Sequence, residues 1–213
     1  MAELQFRKQI IATALRMNSL GVNRGKSGNV SARWKDGFLV TPSGLRYEET
    51  KPTDIVFMDG KATANGKRPP SSEWRFHFDI YHGKSEVNAV VHTHSSFATT
   101  LACLGMAVPA FHYMVAVAGG NSIRCAPYAT FGTQTLSDHA LRALNGRKAC
   151  LLGNHGMIAT GESLENALAL AVEIEALCEQ YWRALQIGQP TVLSDDEMAV
   201  VVEKFKTYNR QAS

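Results

Sequence analysis

The stretch Asn88-Ala-Val-Val-His-Thr-His94 joins an apolar run, typical of a buried strand, to two histidines at its end. Side chains of a β-strand alternate between the two faces of a sheet, so His92 and His94 are expected to point the same way. Two imidazoles on one face can bind one metal ion. The carboxyl end of a buried strand is also a usual place for ligand sites in sheets packed against helices. The stretch therefore predicts a central strand and part of a metal site.

A third histidine follows a second apolar run, 61 residues after His94. His155 stands inside Gly153-Asn-His-Gly156, where the glycines allow a sharp turn and a close approach of backbone. Three protein ligands leave coordination positions open on a metal, as in catalytic sites. A His-x-His pair alone more often describes ordinary core or surface histidines. The position of all three histidines after apolar strands favours the metal site.

Composition bounds the class of protein. With 213 residues, 45% apolar and 19% charged, the chain is expected to form one soluble globular domain, residues 1–213. The net charge of +3 is spread out, which argues against a nucleic-acid partner. No apolar stretch has the length of a membrane span, and the amphipathic N-terminus does not read as a signal peptide. Four scattered cysteines predict free thiols, so the expected location is cytoplasmic.

Apolar spacing predicts alternating helices and strands. A hairpin joined through Lys35-Asp36-Gly37 makes an all-parallel sheet improbable. The predicted fold is α/β, with a mixed central sheet and helices on both faces. Residues 105–133 receive no assignment. The predicted helices span residues 3–20, 71–81, 95–104, 133–145, 163–187 and 194–206, and the predicted strands span 30–34, 37–40, 54–58, 86–91 and 148–152.

Three polar turns could together hold a phosphate group. Ser27-Gly28-Asn29, Ser43-Gly44 and Ser71-Ser72 each offer hydroxyls or backbone N–H groups, and the last pair precedes a predicted helix. For any one turn alone, ordinary turn or cap chemistry is the better explanation.

Glu73 follows the last of these turns. A carboxylate close to a metal held by three histidines can be a fourth ligand, a proton carrier, or both in sequence. A glutamate in the first turn of a helix is also stabilised by the helix dipole. Position alone leaves these two interpretations about even.

Six motifs in this order and spacing resemble those of the class II aldolase/adducin-like family, over nearly the whole chain. Their ordered combination is far more specific than any one of them. The motifs are Gly25-Lys-Ser-Gly-Asn-Val-Ser31, Thr41-Pro-Ser-Gly44, Pro70-Ser-Ser-Glu-Trp-Arg-Phe-His77, Ala89-Val-Val-His-Thr-His94, Ala118-Gly-Gly-Asn-Ser122 and Asn154-His-Gly156.

The resemblance implies a role for each matching residue. The three histidines match zinc ligands, and Glu73 matches a catalytic glutamate that also ligates the metal. Manganese or cobalt would suit the same donors. Tyr113 matches a tyrosine presented by a neighbouring subunit that handles the proton on the aldehyde oxygen, and Tyr208 matches a C-terminal tyrosine near the aldehyde. The phosphate-binding positions match Gly28, Asn29, Ser43, Gly44, Ser71 and Ser72.

The resemblance also implies a mostly antiparallel sheet and a homotetramer with active sites between subunits. The implied activity is cleavage of a ketose 1-phosphate, of the L-fuculose 1-phosphate type, to dihydroxyacetone phosphate and an aldehyde such as lactaldehyde. No lysine need form a Schiff base. The expected partner is therefore a small phosphorylated sugar.

Other activities within the family stay open. 5-Deoxyribulose or 5-methylthioribulose 1-phosphate would be cleaved by the same chemistry. Less favoured are a pentulose-5-phosphate 4-epimerase, in which the Ser-Ser pair precedes Asp rather than Glu73, and a non-catalytic adducin-like domain. Lys26 and Ser43 stand where fuculose-phosphate-cleaving members usually have Thr, and Asn154 replaces a His, so the aldehyde does not follow from the motifs.

Overall fold

The computed structural model describes the backbone of residues 1–211 and the side chains of residues 1–205. Short 3-10 segments at Tyr47–Glu49, Pro52–Asp54 and Tyr113–Ala118 connect some of the longer elements. The α-helices of the described chain are α1 (Ala2–Ser19), α2 (Trp74–Gly83), α3 (Ser96–Cys103), α4 (Gln134–Ala143), α5 (Leu164–Ile187) and α6 (Asp195–Gln211).

The strands of the described chain form one open sheet in the order β4-β3-β2-β1-β5-β8-β7-β6. Neighbouring strands are antiparallel except for β6 and β7, which run parallel. The strands are β1 (Asn29–Trp34), β2 (Gly37–Val40), β3 (Val56–Met58), β4 (Ala64–Asn65), β5 (Ala89–Thr93), β6 (Arg124–Ala126), β7 (Ala149–Leu152) and β8 (Gly156–Gly161).

The central strands of the sheet carry apolar side chains on both faces, so helices pack on both sides of the sheet. On one side, apolar residues of α1, α3, α5 and α6 pack in a cluster that includes Val91 and Ala159. On the other side, α2 and α4 pack in a second cluster that includes Val90 and Ile158. The predicted single-domain α/β fold, with a mostly antiparallel sheet, is confirmed. In the described part of the chain, no helix is both long and apolar enough to cross a bilayer.

Several boundaries differ from the sequence-based prediction. β5 runs over Ala89–Thr93, so His92 lies inside the strand rather than after it. α2 begins at Trp74, three residues later than predicted. β8 and β6 were not predicted. β8 is buried on both faces and lies between glycines, so its sequence shows neither polar–apolar alternation nor a distinct start.

Pairing within the sheet brings distant residues to one edge. β1 and β5 place Asn29 opposite His92, and β5 and β8 place Thr93 opposite Met157. A three-residue turn joins β7 to β8, and His155 is its last residue. Because β8 is antiparallel to β5, that turn lies beside the carboxyl end of β5. The stretch that contains His92 and His94 and the turn that contains His155 therefore meet at the edge of the sheet where β5 ends.

Candidate metal centre and active site

Four side chains converge at this edge of the sheet. One ligating atom from each of Glu73, His92, His94 and His155 lies within 4.8 Å of every other. The three imidazole ring centres are 4.9 Å apart in every pair, with the rings inclined by 70–75°. Mutually inclined rings aim their nitrogens at a common point, which is the requirement for binding one ion. The structure thus brings together all four predicted metal ligands.

The histidines are held in the orientation that a metal needs. His92 is fully buried, and its Nδ1 lies 2.9 Å from the carbonyl oxygen of Met157. A carbonyl can only accept, so Nδ1 carries a proton and Nε2 is the nitrogen turned to the cluster. Burial opposes a charge on His92, but the Glu73 carboxylate beside Nε2 outweighs it and raises the pKa of His92. Burial and the neighbouring His92 and His155 lower the pKa of His94 to about 4. His94 is therefore neutral near pH 7.

Glu73 occupies the N-cap position of α2, but its side chain does not cap the helix. The carboxylate turns to the histidines, with Oε2 3.1 Å from Nε2 of His92 and Oε1 3.0 Å from Nε2 of His155. Burial alone would raise the pKa of Glu73, but these two histidines outweigh it and hold that pKa well below its ordinary value. Glu73 is thus an anion inside the cluster, as the ligand interpretation requires.

The donor set fits a divalent cation. Oε1 of Glu73 is buried and has no hydrogen-bond partner among the described residues, although a histidine nitrogen lies 3.0 Å away. The two atoms are thus close together, yet no hydrogen bond joins them. An ion between the atoms would satisfy both. Three imidazoles and one carboxylate suit zinc, manganese and cobalt.

The polar turns predicted to hold phosphate lie next to one another. Pro42 and Pro70 form an antiparallel bridge, flanked by hydrogen bonds from Ser43 N to Pro69 O (3.1 Å) and from Ser71 N to Thr41 O (3.0 Å). Ser43, Gly44 and Ser72 are exposed, whereas Ser71 is buried. The loop that contains Ser27-Gly28-Asn29 is tied to the Ser43-Gly44 turn by Lys26, whose Nζ donates to Gly44 O at 2.9 Å.

Gly28 and Asn29 complete these turns in different ways. A Cβ at Gly28 would lie 2.5 Å from the carbonyl oxygen of His92, so only glycine lets this loop pass the metal ligands closely. The side-chain amide of Asn29 is buried and already has partners. Its Nδ2 donates to Glu73 Oε2 at 3.0 Å, and its Oδ1 lies 2.5 Å from Nε2 of His77. The phosphate roles of both residues stay predictions.

Tyr113 lies outside the cluster. Tyr113 begins the 3-10 segment Tyr113–Ala118, is 51% exposed, and stacks on Phe205 with ring centres 6.4 Å apart. Its predicted action in a neighbouring subunit stays a prediction. The side chain of Tyr208 falls outside the described residues.

His77 is a buried residue beside the cluster. It ends the motif Pro70-Ser-Ser-Glu-Trp-Arg-Phe-His77, but no role was predicted for it. It sits four residues after Glu73, hence on the same side of the first turn of α2. Its Nδ1 lies 2.6 Å from Ser31 Oγ, which lies 2.7 Å from Tyr81 Oη. The helical spacing from Glu73 was the available signal, but a buried histidine at that spacing is usually an ordinary core residue.

Comparison with known proteins identifies the family. Residues 8–182 match the class II aldolase and adducin N-terminal domain family, so the chain belongs to it. The 5-methylthioribulose-1-phosphate/5-deoxyribulose-1-phosphate aldolase of Rhodospirillum rubrum is 57% identical over 211 residues, covering 99% of this chain and 96% of that protein. The L-fuculose phosphate aldolase of Escherichia coli K12 is 53% identical over 202 residues, covering 94% of each.

A solved structure agrees with these relatives. An L-fuculose 1-phosphate aldolase superposes with a TM-score of 0.91 at 40% identity, covering 94% of this chain and 95% of that one. Together with the retained cluster of three histidines and Glu73, these matches confirm the predicted enzyme class, a class II aldolase.

Proposed function

We propose that the protein cleaves the C3–C4 bond of a ketose 1-phosphate, L-fuculose 1-phosphate first among the candidates, to dihydroxyacetone phosphate and an aldehyde such as lactaldehyde. One observation carries this proposal. Glu73 lies among three histidines, with one oxygen lacking any hydrogen-bond partner among the described residues, directly after turns that can hold a phosphate. The same carboxylate can therefore bind a cation and later move a proton at a sugar anchored beside it.

The chain's own groups account for the proton movements. A divalent cation bound here, zinc by our proposal, would act as a Lewis acid and stabilise the negative charge that develops as the C3–C4 bond breaks. Tyr113 takes the proton from the C4 hydroxyl as the aldehyde forms. Glu73, once the substrate has replaced it in the cluster, takes up a proton from solvent and delivers it to C3 of the dihydroxyacetone phosphate half, while the proton accepted by Tyr113 returns to solvent. One proton leaves oxygen and one reaches carbon, so no oxidant or reductant is needed.

The serine turns set the register of the substrate. Exposed Ser43 and Ser72, with the backbone N–H groups around Gly44, surround the place proposed for the phosphate. Holding the phosphate on C1 there fixes the position of the sugar's C3–C4 bond relative to the metal centre. Tyr208 is proposed to contact the aldehyde half.

A second candidate substrate is 5-methylthioribulose or 5-deoxyribulose 1-phosphate. It is supported by the relative that is 57% identical and by a 5-deoxy-D-ribulose 1-phosphate aldolase of Bacillus thuringiensis that is 43% identical over 209 residues. The bond broken and the phosphate are the same. The candidates differ only in the aldehyde half.

Assembly and location complete the proposal. Tyr113 projects from the surface, where it could reach the site of a second copy. In the proposed homotetramer, whose active sites lie between subunits, Tyr113 of one subunit would act in the active site of its neighbour. The proposed location is cytoplasmic.

A panel of ketose 1-phosphates, scored for release of dihydroxyacetone phosphate, tests the activity and ranks the substrates. Glu73→Gln should lower kcat by about 10²–10⁴-fold, because it removes the proposed proton carrier. Glu86→Gln is the matched control, since its carboxylate pairs at the surface with Lys84 and should not matter.

Two results would contradict the proposed function. One is the absence of cleavage for every ketose 1-phosphate by metal-loaded protein. The other is a covalent adduct trapped by borohydride in the presence of substrate, which would mean that a lysine forms a Schiff base.

A further inference from the structure

A chain of buried hydrogen bonds runs inward from the metal centre. It starts at Glu73 Oε2, which accepts from Asn29 Nδ2 at 3.0 Å. Asn29 Oδ1 then meets His77 Nε2 at 2.5 Å, and His77 Nδ1 meets Ser31 Oγ at 2.6 Å. The chain ends at Tyr81 Oη, 2.7 Å from Ser31 Oγ. All five residues are buried, and they come from β1 and from α2 with its N-cap.

Chemistry assigns one direction to every bond in this chain. The Glu73 carboxylate can only accept, so the amide of Asn29 must present its NH₂ there and its oxygen to His77. Nε2 of His77 therefore carries a proton. Burial lowers the pKa of His77 to about 3, so the ring is neutral and Nδ1 is a bare acceptor. Ser31 must then donate to Nδ1, and because its one proton is used there, its oxygen accepts from Tyr81 Oη.

The order of donors explains why an N–H donor is needed in the middle. An amide with free ends could rotate by half a turn and place its oxygen against the carboxylate, which would repel it. The proton on His77 Nε2 makes the unrotated amide the only one with both ends satisfied. Glu73 and His77 thus hold the two ends of the Asn29 amide, and without the His77 N–H the amide oxygen would lose the partner that keeps Nδ2 on Glu73 Oε2.

We infer that His77 is a positioning residue: through Asn29 it holds the Glu73 carboxylate in the orientation in which it binds the cation. The inference rests on the proposed role of Glu73 in the metal centre. Groups behind direct ligands commonly orient them, and their loss typically weakens metal binding by about 10–100-fold. Here the orienting group stands one residue further away and acts through an amide.

The decisive measurement is zinc affinity by chelator competition in a double-mutant cycle. His77→Phe keeps an aromatic ring but lacks the donor, and Asn29→Ala removes the amide through which it acts. Each should weaken zinc binding by about 10–100-fold, and the double variant should bind zinc no more weakly than Asn29→Ala alone. His77→Gln, which can offer an N–H to Asn29 Oδ1, should restore most of the affinity.

His82→Phe is the matched control. His82 lies on the same helix, is exposed, and stacks on Phe78 with ring centres 4.0 Å apart. Its replacement should leave zinc affinity unchanged. If the two single losses of zinc affinity multiplied in the double variant, His77 would act independently of Asn29 and the inference would be overturned. Wild-type zinc affinity in a folded His77→Phe protein would overturn it too, because His77 would then have no effect.

Nitrogen NMR of the metal-free wild-type protein gives an answer that needs no variant to fold. The His77 ring should show a protonated Nε2 and a bare Nδ1. The opposite tautomer would leave Asn29 Oδ1 without a donor from His77 and would overturn the inference. Neither measurement depends on which sugar is cleaved, so failure of wild-type protein to cleave any ketose 1-phosphate counts against the proposed function alone.

Discussion

His77 illustrates at the residue scale how burial selects one protonation state. The ring is fully buried between aromatic neighbours, stacking on Phe76 with ring centres 4.6 Å apart. Burial and nearby His92 lower its pKa, and the Glu73 carboxylate only partly opposes them. The Tyr81 hydroxyl faces the ring only through Ser31. A charged imidazole would have no solvent and no direct anionic partner here.

Acid should therefore destabilise the protein partly through His77. Its pKa is about 3 in the folded chain against an ordinary value of 6.5, so between these values the unfolded chain binds a proton that the folded chain does not. The free energy of unfolding then falls as the pH falls through this window, by about 1.4 kcal/mol per pH unit for a full proton. Denaturant titrations of metal-free wild type and His77→Gln across the window should give a shallower slope for the variant. Parallel slopes would refute this.

At the scale of elements, the hairpin of β7 and β8 delivers His155, and its glycines make the fit possible. A Cβ at Gly156 would lie 2.3 Å from the carbonyl oxygen of Thr93 and 2.9 Å from Cδ2 of His94. The turn residue Asn154 has a φ of 53°, in the left-handed region that favours glycine and asparagine. The backbone of β8 thus touches both the end of β5, which carries His92, and His94 just after it.

Gly156→Ala should push β8 away from β5 and separate the ligands. We expect a loss of about 1–3 kcal/mol in the free energy of unfolding, together with weaker zinc binding. Gly188→Ala is the control, because nothing lies within 4 Å of a Cβ at Gly188, which ends α5 in extended backbone that any residue can adopt. Denaturation and chelator competition on both variants check this. If the two variants had the same stability and the same zinc affinity, the close approach of β8 to β5 at Gly156 would be contradicted.

Glu175 on α5 fixes the start of α3, immediately after His94. Its carboxylate accepts from Ser95 Oγ at 2.7 Å and from the backbone N–H groups of Phe97 and Ala98 at 2.8 and 2.9 Å. Free N–H groups at a helix N-terminus favour an anion. A residue distant in sequence therefore caps this helix.

Glu175→Ala should cost about 2–3 kcal/mol of stability, because it leaves buried donors without an acceptor. Glu179→Ala on the same helix removes only an exposed ion pair with Arg183 and should change stability by less than about 1 kcal/mol. Thermal and denaturant unfolding of both variants decide the point. A Glu175 variant as stable as the Glu179 variant would show that the cap is dispensable.

At the scale of the whole molecule, the metal centre lies at the edge of a sheet whose two faces are packed independently. Large apolar clusters cover each face, with Phe38 and Phe76 in one and Ile10 and Leu101 in the other. These cores do not include the ligand atoms. The fold should therefore persist without metal, unlike a small domain that folds only around its ion.

Removing metal should lower the melting temperature without unfolding the protein. An ion that binds only the folded state stabilises it by about 4 kcal/mol when its free concentration is 1,000 times Kd. Chelator-treated protein should keep its far-ultraviolet circular dichroism at 25 °C and melt earlier, and added zinc should restore the melting temperature. His94→Ala should respond little to added zinc. Unfolding at 25 °C on chelation, or no shift in melting, would contradict the expectation.

Much of this architecture was predictable from local pattern. The apolar runs before His92 and His155 indicated two of the strands, and the Lys35-Asp36-Gly37 turn indicated the β1–β2 hairpin. The four candidate ligands were also predictable, because their residue types are few and their motifs are ordered. β8 was not predictable, since a short apolar strand buried on both faces has no periodicity to distinguish it.

The sequence by itself determined the parts of this protein: which runs are buried, which side chains can bind a cation, and which turns can hold a phosphate. Only the tertiary structure decided their relations. Antiparallel pairing of β5 with β8 set the distance between ligands 61 residues apart, and packing of α2 against β1 turned Asn29 towards Glu73 and His77. Residue type and periodicity are local properties of a chain. Strand register and hydrogen-bond direction depend on which distant segments meet, and only the packed fold specifies that.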